Sequence, residues 1–173
     1  MQSLLADRFK LTIHVESKQG PVFALLLAKP GKTGPLLKPH VDDGSCSVGT
    51  PQPVCGASTF GMQLSQKAPG RVQVAARGIT IAQIAEWLPG LATKIDSGVD
   101  RPVIDHTGLG GSFDLDMEFT PQLYGTAPIG FQPETSGPSF FEALQEQAGL
   151  KLVSATGAVE ELVVDHVEEP SPN

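Results

Sequence analysis

Two Asp-His pairs are the residues of this chain best suited to chemistry. Val103-Ile104-Asp105-His106 returns near the C-terminus as Val163-Val164-Asp165-His166, one V-x-D-H pattern used twice. A carboxylate and an imidazole together can hold a metal or set up a general base. Adjacent residues on a strand point to opposite faces, however, so Asp105 and His106 cannot serve one small site unaided. If the two segments lay side by side, Asp105 would face His166, or Asp105 would face Asp165. The plainer expectation is that each Asp ends a strand and caps the turn after it, Asp105 through backbone amides near Thr107 and Gly108.

A second candidate is His40-Val41-Asp42-Asp43-Gly44. His40, Asp42 and Asp43 could hold Ca²⁺ or Zn²⁺, yet a calcium loop needs more oxygen ligands at regular spacing and the Glu that follows them. A solvated acidic turn is the simpler expectation. Cys46 and Cys55 sit in the same Gly/Pro/Ser stretch, where no helix or strand would hold them apart. They can join as a disulfide or stay free in a reducing compartment, and two loop cysteines with no others favour the disulfide. A zinc site fits less well, since the spacing is not C-x-x-C. Trp87, the single Trp, lies beside the apolar stripe of a helix. It is a candidate for stacking on a ligand, with partial burial as the default. No G-x-S-x-G elbow is present, and Gly108-Leu109-Gly110-Gly111 lies between strands instead of opening a helix, so neither a serine hydrolase nor a phosphate loop is indicated.

Composition limits the partners. The 173 residues amount to one ordinary domain, 40% hydrophobic and able to bury a core. A net charge of −7 argues against nucleic acid and against an anionic membrane surface. No apolar run is long enough to span a bilayer. The opening residues lack a basic start and a long apolar core, so a leader, if the gene has one, is not in this chain.

The elements that must position these residues follow from periodicity. Residues 1–7 read as helix end, with Leu4 and Leu5 inward. Phe9, Leu11, Ile13 and Val15 alternate with polar residues as a half-buried strand. Ser17 to Pro21 reads as a turn, and Val22 to Ala28 as the second arm of a hairpin. Residues 30–70 read as a long loop with at most a short strand. Arg71 to Ala76 is a strand. Thr80 caps a helix with Gln83 as box partner; Ile81, Ile84, Ala85 and Leu88 form its stripe and Pro89-Gly90 stops it. Arg101 to Asp105 is a brief strand. Phe113, Leu115, Met117 and Phe119 alternate with Asp114, Asp116 and Glu118, a strand whose acidic face is expected to lie in water or meet a lysine such as Lys10. Residues 120–138 are a second loop. Ser139 and Glu142 box the next helix, which Gly149 ends. Leu150 to Ala155 and Val159 to Val167 are read as two strands about Thr156-Gly157. The expected class is α+β: one domain over 1–173, a mostly antiparallel sheet with two to three helices on one face, built from helix–strand–strand units.

The segments LLADRFKLTIH, RGITIAQIAEWL, RPVIDHTGLGGSFDLDMEF and SFFEALQEQAGLKLVSATGAVEELVVDHVEEPSPN resemble a soil-associated family of unknown function, expanded in Acidobacteria. Some of its members are fused to membrane metallopeptidases like the antirepressors of β-lactam sensing. The resemblance covers most of the chain outside its two loops. It implies an exported, periplasmic or secreted module and supplies no catalytic residues. The helix–strand–strand units are more loosely similar to the small N-terminal modules of secretins and TonB-dependent receptors, which bind peptides or partner proteins.

Two functions stay open. The first is a non-catalytic cell-envelope module that binds a peptide, glycan or protein partner and needs no cofactor. The second is a small hydrolase, with or without the help of a metal, acting on an ester or lactone through Asp105, His106, Asp165 and His166 or through the His40 loop. The residues leave the oligomeric state open.

Overall fold

The computed structural model describes residues 8–41, 61–91, 97–122 and 130–169. Among them run β1 (Thr12–Leu27), β2 (Leu37–Pro39), β3 (Gly61–Leu64), β4 (Val72–Ile79), α1 (Ile81–Leu91), β5 (Val103–Asp105), β6 (Phe113–Phe119), α2 (Phe140–Ala143) and β7 (Leu150–His166). The fold is α+β, dominated by strands that are mostly antiparallel. The strands make two sheets and not the single one expected: β5-β1-β7 and β2-β6-β4-β3. The chain also divides into two compact units, one of Val22–Ala155 and one of Met1–Pro21 with Thr156–Asn173.

In the larger unit, side-chain alternation builds the core. Val72, Val74 and Ala76 of β4 and Phe113, Leu115, Met117 and Phe119 of β6 are buried on one face. Ile81, Ile84, Ala85 and Leu88 of α1 and Phe140 and Ala143 of α2 close over them. Phe119 meets Phe140 edge to face, with centroids 5.2 Å apart. Both helix starts read from sequence are present. The Thr80 N–H donates to Gln83 Oε1 at 2.9 Å and the Gln83 N–H to Thr80 Oγ1 at 3.2 Å. Ser139 and Glu142 make the same reciprocal box.

The end of α2 is tied down from outside. It runs on as one π-turn, Leu144–Ala148, and stops at Gly149 with φ 72°. Its last carbonyls lack helical donors. The Gly34 N–H donates to Ala148 O and the Leu36 N–H to Gln147 O, each at 2.8 Å. Gly34 lies against the backbone of Gln147 to Gly149, where a Cβ would collide. Gln147 in turn acts as a surrogate strand for β6. Its side chain accepts from Glu118 N at 2.9 Å and donates to Glu118 O at 2.7 Å.

The acidic row of β6 meets named partners on its outer face. Asp114 accepts from Gly78 N and pairs with His40; Asp116 bonds Gln73 and Lys67; Glu118 accepts from Ser65. Two pieces of the expected 30–70 loop are strands, β2 and β3, because β6 and β4 supply their hydrogen-bond ladders.

The smaller unit is a two-stranded ribbon from the ends of β1 and β7. His14 bonds Asp165, Lys18 bonds Glu161, and Gly20 faces Val159. Each advance along β1 matches an equal retreat along β7, so the two run antiparallel here. The two hairpins expected from sequence are therefore absent: Ser17 to Pro21 and Thr156-Gly157 are strand, not turn. Acidic side chains prevail in this unit: Glu16, Glu160, Glu161, Asp165, Glu168 and Glu169 outnumber Arg8, Lys10 and Lys18.

No helix among the described residues is long and apolar enough to cross a membrane.

Candidate functional site

An open groove lies between α1 and β5. Its volume is about 630 Å³, and Ala82, Ala85, Glu86 and Pro89 face Asp100 to Asp105 across it. The helix presents its second face here. Ile81, Ile84, Leu88 and Leu91 are consumed by the core, while Ala82, Glu86 and Pro89 turn the other way. Small residues at these positions leave the groove open. Pro89 falls in the last turn, where its missing N–H removes one helical bond and its ring becomes wall.

β5 supplies the opposite wall and a strand edge. It pairs with β1 in parallel register, Val103 opposite Phe23, Ile104 opposite Ala24 and Asp105 opposite Leu25. The Phe23 N–H donates to Pro102 O at 2.8 Å and the His106 N–H to Leu25 O at 2.9 Å. In a parallel ladder alternate residues use both backbone groups on one neighbour. Residues 102, 104 and 106 are therefore spent on β1, and the backbone groups of Val103 and Asp105 point away from it. Among the described residues β5 is the outermost strand of its sheet.

The polar groups of the groove are acidic and locally held. Arg101 donates to both oxygens of Asp100, at 2.7 and 3.0 Å, and its guanidinium lies 4.9 Å from the Phe23 ring centre. That hydrogen bond holds the Asp100 carboxyl below its usual value and raises Arg101. Asp105 Oδ1 accepts from Thr107 N and Thr107 Oγ1, both at 2.8 Å, and Thr107 Oγ1 accepts from Leu109 N at 3.2 Å. Asp105 thus organises the turn after β5, the structural role set out for it above.

The other sequence candidates are placed as follows. β1 lies between β5 and β7 in sheet order, so the two V-x-D-H segments are not adjacent strands. Their polar partners differ and lie in different units: Asp165 accepts from His14 Nδ1, across from it on β1, with both oxygens at 2.9 Å, and His166 pairs with Glu168 at 2.9 Å. His40 is nearly buried and bonds Asp114 at 2.8 Å, while the Gly78 N–H donates to the same Asp114 oxygen at 2.9 Å. Asp114 is thereby a clamp between β2, β6 and the bulge of β4. Asp42, Asp43, Cys46 and Cys55 lie outside the described residues. Trp87 is half-buried on α1 and does not line the groove. Among the described residues no three His, Cys, Asp or Glu side chains gather to hold a metal ion.

Sequence reading missed the groove. Its signal was weak but present: a helix whose second face carries Ala82, Glu86 and Pro89, followed by a Pro-led strand too short to be central.

No curated protein and no solved structure matches this chain. A family model does, over residues 1–167. The chain belongs to a family described as proteins of unknown function, DUF3738.

Proposed function

We propose that this protein is a non-catalytic interaction module that takes an extended polypeptide along β5, in the groove beside α1. The carrying observation is the register of β5, which leaves the Val103 and Asp105 backbone facing away from β1. An added strand would gain main-chain bonds there, with side-chain pockets at alternate positions. Ala82, Ala85, Pro89 and Ile104 offer apolar wall. Glu86, Asp100 and Asp105, against Arg101 alone, favour a segment carrying Lys or Arg. The net charge of −7 supports the same preference. The resemblance to exported soil-bacterial proteins supports a periplasmic or extracellular setting for the module. The hydrolase reading has less support, because among the described residues the two V-x-D-H segments share no polar partner: Asp105 bonds Thr107, Asp165 bonds His14 and His166 bonds Glu168.

A random-peptide display selection on the whole chain, repeated on Val103→Pro, tests this. Proline removes the outward N–H and leaves the β1 ladder intact, a change edge strands tolerate. Selected peptides should be extended, basic and apolar in alternation. They should lose about tenfold in affinity on Val103→Pro, the loss of about 1.4 kcal/mol expected for one good hydrogen bond. Equal binding to both proteins would remove the proposal.

A further inference from the structure

The ribbon of the smaller unit has two unlike faces. His14–Asp165 and Lys18–Glu161 mark one of them as a charged ladder. Alternation then puts Ile13, Val15, Leu162 and Val164 together on the other, bordered by Ser17, Gln19, Glu160 and His166. That face is open: Val15 is 60% exposed, Leu162 62% and Val164 52%. A two-stranded ribbon is marginal alone, and a sheet's apolar face is stabilised by burial against a second layer.

We propose that this face docks an amphipathic helix of another protein, its apolar stripe flanked by Lys or Arg. Charge selects that occupant. The ribbon has an acidic excess and the whole chain carries −7, so a second copy would meet repulsion, whereas basic flanks meet attraction. Only a few branched side chains make up the apolar patch, a small surface for a stable homodimer. The contact is therefore weak and transient. It is independent of the β5 groove.

The test uses the full chain and two designed helical peptides, one with a leucine stripe flanked by lysine and one with glutamate in place of lysine. Anisotropy titrations give the affinities. The lysine peptide should bind at least about tenfold more tightly than the glutamate peptide. Val15→Thr with Val164→Thr, which keep β-branched shape, should weaken it by about tenfold. Leu162→Thr alone should weaken it in the same direction should the double variant lose its ribbon. Val163→Thr, on the charged face, should leave it within about twofold. Equal binding of the two peptides, equal loss on Val163→Thr, or no loss on Leu162→Thr overturns the proposal. So does a dimer in sedimentation that Leu162→Thr dissolves, which would make the occupant a second copy.

Discussion

Single side chains do the fastening that backbone ladders leave undone. Gln147 bonds both the N–H and the C=O of Glu118, so Gln147→Leu strands two backbone groups at once. The expected cost is about 2–3 kcal/mol in denaturant unfolding. Glu142 makes a pH-dependent counterpart. The Ser139 N–H, and then its hydroxyl, hold the Glu142 carboxyl below its usual value. A carboxyl depressed in the folded state adds stability above its unfolded value and loses it as pH falls through the folded one. Wild type should therefore melt above Glu142→Gln at neutral pH, and the gap should close below about pH 4. A gap unchanged by acid would remove the charged cap from the account. Both boxed caps were legible in sequence because a cap is a local bargain between residues three apart. Gln147 was not, since nothing near it in the chain announces a partner twenty-nine residues away.

Elements divide in the same way. β6 was legible from Phe113 to Phe119 because its own alternation satisfies one buried and one wet face. β1 and β7 were each broken in two by turn chemistry that pairing overrode. Gly20 marks no turn; it sits where a Cβ would press on Val159 of the neighbouring strand. β2 and β3 have too few residues to announce themselves, and β5 reveals neither its parallel direction nor which backbone groups face away from β1 until β1 is beside it. The ribbon parts of β1 and β7 expose both faces and lack a core of their own. Their amides, from about Thr12 to Gln19, should exchange with solvent faster than those of β4 and β6, whose alternate residues are buried. Equal protection throughout would show that the ribbon is stabilised as firmly as the larger unit.

At the scale of the whole molecule, the sequence predicted class and charge but placed one sheet where there are two. The chemistry it advertised, two Asp-His pairs, is absorbed into turns and surface pairs. The groove it did not advertise is the site we propose. Export remains a reading with a direct check. If Cys46 and Cys55 are paired, reduction opens a short loop and should lower stability by about 2.5 kcal/mol in the chain-entropy account. A melting temperature untouched by dithiothreitol would leave the export reading without support from the cysteines. The measurement closest to the central claim is amide exchange and chemical-shift mapping with a display-selected peptide. The account predicts that the Val103 and Asp105 amides gain protection and that Ala82 and Glu86 shift with them. Perturbations confined to other surfaces, with Val103 and Asp105 exchanging as before, would contradict it.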